Sequence, residues 1–480
     1  MLRNKDIAKI QEVKALFKDS WIQADFFCNY LELFNFHKTS KVFKSVKKSG
    51  VPFWDLMKLI LTLPFLDKST VGSVFSSNAS IDVKAKKDTY YRTLSNQKMD
   101  WRNLLFLFVK RYLSISLKLN SPIKGCKCLI FDDTTIPKRG KKIEGLSKVY
   151  DHVSHRFIFG FKLLVAGYWD GSVFIPLDFS FHRENKDNKQ NKYGLKNKQR
   201  KQQKKTKRNS QLPVKKRYEE LNSKKSSVVI SMFKRICRRK IEVEYILFDS
   251  WFTNMSLIKE ILKINKKVHV IGMYKYNSKL TINEKEFSIK QLRKTQSKMK
   301  RSRSLKLYFY EYVGKLDGIE VKVFISKRGT NGAWHTIIST NTKLSFSKTM
   351  AIYSHRWTIE VFFKEAKQLL GLGKCQSTNF DVQVAQTTIT MIRYLLISLK
   401  YRIQAYETIG GIFRNVKQEY IEYKLNQRIM SVIVEILEIL DFLIEDLDIN
   451  SLAKKMILNS ESLSLLTKPH YIENEHKLAA

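Results

Sequence analysis

Short apolar runs alternate with amphipathic segments across residues 121–274, and this alternation limits the folds that the chain can adopt. The amphipathic segments, residues 217–239 and 254–264, have helical periodicity. The apolar runs at 157–168 and 173–181 flank an Asp-Gly turn signal at 170–171, which predicts a β-hairpin. The apolar runs have the length and composition of β-strands and span residues 128–131, 157–168, 173–181, 243–248 and 268–272. Three strands, a helix, a strand, a helix and a strand follow one another, and this order predicts an α/β fold.

This order is that of an RNase H-like core, here interrupted by one basic insertion and one insertion rich in β-strand patterns. All-helical patterns flank the core on both sides. The sequence therefore predicts five parts: a helical N-terminal DNA-binding region at 1–120, the first part of the core at 121–274 with a basic insertion at 184–217, a β-strand insertion domain at 275–345, a helix of the core at 346–378, and a helical C-terminal region at 379–480 that is a candidate for dimerisation.

The large positive net charge of the chain indicates which class of molecule it binds. The chain has 88 Lys and Arg against 44 Asp and Glu, for a net charge of +44. Such an excess predicts a polyanionic partner, nucleic acid first and an anionic membrane surface as the alternative. Residues 184–225 hold 16 of the basic residues and 4 of the acidic ones. That composition predicts a solvated insertion, and most of the positive charge lies outside it.

Several classes of protein are disfavoured by what the sequence lacks. No apolar stretch reaches the roughly 18 residues that a membrane span needs, and the first residues lack the apolar core of a signal peptide. The 5 cysteines suit a reduced setting, so we expect an intracellular protein. The sequence lacks a G-x-x-x-x-G-K-S/T loop, so it does not predict ATP use.

Carboxylates stand at the ends of two predicted strands. Asp132 and Asp133 follow the first apolar run, and Asp249 follows the fourth. Functional groups gather at the carboxyl ends of strands in α/β sheets, and these two strands are neighbours in the predicted topology. Adjacent carboxylates repel, and a divalent cation would hold them together. For each aspartate taken alone, a turn-forming or helix-capping role is the alternative.

A third carboxylate lies on a predicted helix with a charged stripe. At about 100° per residue, Tyr353, Arg356, Glu360, Lys364 and Lys367 fall within an arc of roughly 80°, with apolar residues opposite. This spacing allows a site in which Glu360 completes a metal centre and the cations bind phosphates. The alternative is a surface helix with ion pairs four residues apart.

The spacing of this stripe matches a known signature. Tyr353, Arg356, Glu360 and Lys367 fit the Y-(2)-R-(3)-E-(6)-K pattern of the bacterial insertion-sequence-four-like transposases. Phe-Asp-Asp-Thr-Thr at 131–135 and Phe-Asp-Ser-Trp-Phe at 248–252 resemble the two aspartate motifs of that family. The resemblance covers about residues 120–375.

Membership of this family would imply a DDE transposase with an RNase H-like catalytic core. It implies that two aspartates and Glu360 bind Mg²⁺ or Mn²⁺, with two ions expected, and that a β-strand insertion precedes the Glu360 helix. It also implies binding to double-stranded DNA at terminal inverted repeats, strand transfer into target DNA and a homodimer in the synaptic complex. A bacterial cytoplasmic protein associated with the nucleoid is the location that the resemblance implies. Either Asp132 or Asp133 could be the first aspartate, with Asp132 slightly favoured.

Two tryptophans close to the motifs are further candidates. Trp251 and Trp357 are placed to stack on an unpaired or flipped base, and packing inside the protein is the alternative for each. Two other functions compete with cut-and-paste transposition. One is an RNase H-like nuclease or domesticated transposase that cleaves without integrating. The other is a non-catalytic basic DNA-binding protein.

Overall fold

The computed structural model divides the chain into two compact units, residues 91–398 and residues 1–90 with 399–480. The residues that the structure describes are 34, 49–66, 68, 70–76, 85–118, 125–184, 192–275, 279–295, 298–329, 332–403, 409–418 and 459.

The unit of residues 91–398 is built on a sheet that has twelve strands within the described residues. The strands are β1 (Cys128–Pro137), β2 (Ser147–Asp151), β3 (Arg156–Trp169), β4 (Phe174–His182), β5 (Tyr245–Phe248), β6 (His269–Met273), β7 (Lys279–Ile282), β8 (Lys285–Ser288), β9 (Lys300–Ser302), β10 (Leu307–Leu316), β11 (Ile319–Arg328) and β12 (His335–Ser339).

Helices connect and cover these strands, and further helices lie towards the chain ends. The described α-helices are α1 (Phe53–Thr62), α2 (Val71–Phe75), α3 (Lys87–Leu94), α4 (Trp101–Lys118), α5 (Asn197–Gln202), α6 (Pro213–Glu220), α7 (Lys225–Arg238), α8 (Met255–Ile264), α9 (Ile289–Thr295), α10 (Phe346–Ser354), α11 (Trp357–Gln368) and α12 (Phe380–Ile403). Short 3-10 turns span Leu63–Leu66 and Lys192–Gly194. The described helices include none that is long and apolar enough to cross a membrane.

The centre of the sheet has the neighbours that the sequence predicted. β1 pairs antiparallel with β3, and β3 pairs antiparallel with β4. On its other side β1 pairs in parallel with β5, which pairs in parallel with β6. The expected mixed α/β architecture is therefore confirmed. β4 and β5 are wholly buried, and β1 is buried except at residues 132–134 and 137, as expected when helices cover both faces of a sheet.

The β-rich segment continues this sheet. β12 pairs antiparallel with β6, with Ile338 opposite Gly272, and β11, β10, β7 and β8 follow outward. The hydrogen bonds of β12 thereby satisfy the edge of β6, which would otherwise present unpaired backbone groups.

The described part of the basic insertion is mostly exposed or partly exposed, as predicted for a solvated segment, but the side chain of Arg208 departs from this pattern. Within its described part, Arg208 is buried and forms salt bridges with Glu144 at 2.6 Å and Asp381 at 2.9 Å. Its guanidinium also stacks on the Tyr218 ring at 4.4 Å. Charged residues are buried when they are paired, and composition alone gives no sign of partners so distant in sequence. Residues 185–191 of the insertion lie outside the described residues.

The described residues of the unit 1–90 and 399–480 form helices joined by turns and bends, with no strand among them. α1 begins directly after Pro52 and buries Leu56, Met57, Ile60 and Leu61. Residues 409–418 form a further helix, and Phe413 packs on Phe65 with ring centroids 4.8 Å apart. The predicted helices and dimerisation surface beyond residue 418, like most of residues 1–48, lie outside the described residues.

Candidate active site

Asp132 and Asp249 follow equivalent positions of two paired strands. β1 and β5 run parallel, and Phe131 lies opposite Phe248. Asp132 and Asp249, which follow these phenylalanines, therefore lie at the same level of the sheet. β1 itself continues to Pro137, beyond the run that the sequence predicted. The two carboxylates interact electrostatically, since the charge of Asp249 contributes to a raised pKa of Asp132.

Both carboxyl groups are held in surroundings that disfavour their charge. Burial first, and then Asp249, raises the pKa of Asp132 to about 7. Burial likewise raises the pKa of Asp249, although Asp249 Oδ1 accepts hydrogen bonds from the backbone N–H groups of Trp251 and Phe252 at 3.0 Å. Negative charge at this edge is therefore incompletely compensated, and a bound cation would compensate it.

Asp132 and Asp133 have different partners. Asp132 Oδ2 lies 3.4 Å from Arg356 Nη1 just before α11, and Thr134 Oγ1 accepts a 2.6 Å hydrogen bond from Lys367 on α11. Asp133 instead forms a salt bridge with Lys225 at the start of α7. Successive side chains of a strand point to opposite faces of the sheet, so Asp132 and Thr134 share the face of α11.

Arg356 connects the third carboxylate to the first. Its Nη2 donates to Glu360 Oε1 at 2.6 Å, while Nη1 lies near Asp132. Glu360 stands in the first turn of α11 and is partly exposed. The predicted ion pair of Arg356 and Glu360 is present, and Arg356 also contacts Asp132 on β1.

The donor set suits a hard divalent cation, because carboxylate oxygens are the ligands that Mg²⁺ and Mn²⁺ prefer. Asp132 and Asp249 meet at one sheet edge, where their repulsion favours such an ion. Glu360 is held by Arg356 instead. Accordingly, in the part of the chain that the structure describes, no group of three or more His, Cys, Asp or Glu residues is placed to hold a metal ion.

The charged helix is not continuous, which changes the position of Tyr353. α10 ends at Ser354 and α11 begins at Trp357, whereas the helical projection assumed one unbroken helix. Tyr353 is buried, and its hydroxyl donates to the Phe248 carbonyl at 3.1 Å. The expected place of Tyr353 on an open stripe is therefore wrong, because its ring packs beneath the end of β5. Its contact with DNA stays a prediction.

The other predicted DNA contacts differ in exposure. Trp357 is 61% exposed, which leaves its ring open to a ligand and argues against a packing role. Trp251 is 57% exposed, although one edge of its ring packs against Phe252 at a centroid distance of 4.6 Å. Lys364 is exposed, whereas Lys367 is half-buried and bonded to Thr134.

Lys225 is a site residue that the sequence did not single out. It pairs with Asp133, and its Nζ also lies 4.8 Å from the centroid of the Trp251 ring. The only signals were its place inside the predicted helical segment 217–239 and at the end of the basic stretch 184–225. Nothing in that run distinguishes it from its neighbours.

Two family models match the chain. The model described as "DDE superfamily endonuclease" matches residues 68–303. The model described as "Archaeal putative transposase ISC1217" matches residues 206–405. Asp249 lies within both matches, and Glu360 lies within the second. Neither description names the insertion-sequence-four-like family, so that narrower assignment stays a prediction.

No curated protein matches the chain. Among solved structures, the cryo-EM structure of a piggyBac transposase synaptic complex with hairpin DNA matches 85% of this chain and 72% of its own, at 13% identity and a TM-score of 0.38. A likeness at that level supports no conclusion about the site. The two family matches show that residues 68–303 and residues 206–405 are similar to DDE superfamily endonuclease and transposase domains.

Proposed function

We propose that this protein is a DDE-type DNA transposase with an RNase H-like core, in which Asp132, Asp249 and Glu360 are the catalytic carboxylates. The observation that carries the proposal is the parallel pairing of β1 and β5, which brings Asp132 to Asp249. The contact of Arg356 with both Asp132 and Glu360 supports the inclusion of the third carboxylate. The insertion-sequence-four-like signature is the narrower form of the same proposal.

Asp132 is preferred to Asp133 as the first aspartate. Asp132 shares the face of α11 and reaches Arg356, the partner of Glu360. Asp133 is neutralised by Lys225 instead. A carboxylate already paired with a lysine gains less from binding a cation than one whose charge is uncompensated.

The three carboxylates would hold Mg²⁺ or Mn²⁺, two ions in the full form of the proposal, and these ions would activate the attacking oxygen and stabilise the leaving one. Glu360 must first release Arg356, which then becomes available to a DNA phosphate. Lys364 and Lys367 flank the carboxylates along α11 and would contact the DNA backbone. Trp251 and Trp357 would stack on an unpaired base near the cleaved strand.

The proposed substrates are the terminal inverted repeats of a transposable element and a target duplex, joined in a synaptic complex by a homodimer. The charge of +44 supports a DNA partner. A metal-dependent endonuclease that does not integrate is the second candidate, favoured by the description of the first family match. A purely binding protein is disfavoured, because it gains nothing from burying two repelling aspartates.

Cleavage and strand transfer on DNA that carries the repeats flanking the gene, with Mg²⁺ present, test the proposal. Asp249→Ala and Glu360→Ala are each expected to abolish both steps while DNA binding persists. Glu242→Gln is the control, because Glu242 is exposed and pairs with Lys127 away from the carboxylates. Cleavage without strand transfer by the unaltered protein would favour the endonuclease, and retained cleavage in either variant would reject the three-carboxylate site.

A further inference from the structure

A basic cavity of about 510 Å³ lies in the unit of residues 91–398 and is separate from the three carboxylates. Its walls come from the start of α4, from α6 and from the second half of α7. Seven Lys and Arg residues line it, against one acidic residue, Asp100. Its volume falls in the range of about 300–1,000 Å³ typical of ligand pockets.

The inner wall is a buried arginine cluster with excess positive charge. Arg102 contacts Asp178 at 3.1 Å and Glu220 at 2.7 Å. Arg235 and Arg217 contact Asp178 at 2.7 Å and 3.2 Å. Three guanidinium groups thus share two carboxylates. Burial and the neighbouring charge of Arg102 lower the pKa of Arg217 to about 10, as expected where positive charges outnumber their partners.

The rim adds further cations that are open to solvent. Lys216, Lys234 and Arg238 are exposed lining residues. The cavity also receives the N-terminus of α4, a helix of 18 residues, where Asp100 Oδ1 caps the Asn103 N–H at 2.9 Å. A helix N-terminus contributes partial positive charge, so it reinforces the attraction of the arginine cluster for an anion.

The cavity and the candidate active site lie on the same helix. Lys225, which pairs with Asp133, begins α7, and Arg235 lies ten residues further along it. At about 1.5 Å per residue this separates them by roughly 15 Å. Double-stranded DNA carries one phosphate charge per about 1.7 Å of its axis. A duplex that continues from the carboxylates along α7 would carry phosphates at the distance of the cavity.

We propose that this cavity is a phosphate-binding site that takes a backbone phosphate of the DNA held at the candidate active site. One arginine guanidinium can donate hydrogen bonds to two phosphate oxygens at once. A concave basic surface also focuses its positive electrostatic potential on a bound anion. The assignment to substrate DNA rests on the proposed function. A free polyphosphate has the same chemistry and is the alternative source.

The test compares two triple variants of the full chain with equal loss of charge. The cavity variant is Lys216→Ala, Lys234→Ala, Arg238→Ala. The control is Lys259→Ala, Lys266→Ala, Lys267→Ala, whose lysines are exposed on α8 and the loop after it. Binding of a labelled DNA duplex without metal is measured as a function of salt, and tripolyphosphate is titrated into each protein. Circular dichroism checks folding, and Lys234→Glu alone serves as a second cavity variant.

The cavity variant is expected to bind DNA more weakly and to lose about one unit of salt slope per phosphate contact removed. The control is expected to keep the slope of the unaltered protein. Equal responses of the two variants would overturn the proposal. Loss of tripolyphosphate binding with unchanged DNA binding would also overturn it, in favour of a free polyphosphate. Because cleavage is not measured, failure of the three-carboxylate site leaves this result interpretable.

Discussion

The guanidinium of Arg356 donates to Glu360 at 2.6 Å, and this contact holds the proposed third ligand of the metal site. The same guanidinium lies 3.4 Å from Asp132. The positively charged guanidinium thus occupies the position between Asp132 and Glu360 that a shared metal ion would take. Binding of metal must therefore displace the arginine from Glu360.

Arg356→Gln is accordingly expected to tighten Mn²⁺ binding and to weaken DNA cleavage. Loss of the competing positive charge leaves Asp132 and Glu360 free for the metal, whereas the phosphate contact is lost. Mn²⁺ affinity is measured by electron paramagnetic resonance without DNA, with Lys364→Gln as the control on the same helix. Weaker Mn²⁺ binding in Arg356→Gln would show that the arginine supports the metal site instead of competing with it.

The two adjacent aspartates are expected to respond differently to the same substitution. Asp132→Asn should reduce cleavage by a factor of at least about 100, as expected for a group that stabilises developing charge. Asp133→Asn should leave cleavage within roughly tenfold of the unaltered protein, because it removes a partner of Lys225 and not a ligand. Cleavage rates of the two variants at saturating Mg²⁺ show which aspartate is the metal ligand. A larger loss of cleavage in Asp133→Asn than in Asp132→Asn would make Asp133 the first aspartate.

Folding stability without metal is expected to depend on pH through Asp132. Its pKa is about 7 in the folded protein against 3.8 for an ordinary aspartate, so the folded state binds the extra proton between these values. The contribution of the protonated group is fully present below about pH 4 and is lost as the pH rises through 7. Because Asp132 is partly exposed, solvent screens part of this effect. The resulting loss in the free energy of unfolding amounts to about 1–3 kcal/mol.

Denaturant unfolding of Asp132→Asn and the unaltered protein between pH 5 and about pH 8 measures this effect. The asparagine variant should gain relative stability as the pH rises, since it carries no ionisable carboxyl at this position. Parallel stability profiles of the two proteins would contradict the raised pKa of Asp132.

Tyr353 and Trp357 are expected to separate folding from DNA binding. Tyr353→Phe removes the hydrogen bond to the Phe248 carbonyl and should lower the free energy of unfolding by about 1 kcal/mol. Trp357→Ala removes an exposed ring and should leave stability unchanged while weakening single-stranded DNA binding by about 1–3 kcal/mol. Unfolding curves and binding anisotropy of both variants are the measurements. Unchanged DNA affinity in Trp357→Ala would reject its stacking role.

The sequence by itself determined the strand and helix order of the core apart from β2, α5 and α6, the placement of aspartates at two neighbouring strands, and the pairing of Arg356 with Glu360. These features depend on local periodicity and on short sequence spacing, which a single chain displays directly. The large positive charge is likewise a property of composition.

The tertiary structure alone decided which residues these groups meet. Asp132 and Asp133 are adjacent in sequence, yet one contacts Arg356 and the other Lys225, because the two faces of β1 meet different helices. Tyr353 turns inward because the helix breaks after it and the Phe248 carbonyl accepts its hydroxyl. Arg208 is buried because Glu144 and Asp381, both distant in sequence, neutralise it. Burial and electrostatics depend on partners that only packing brings together.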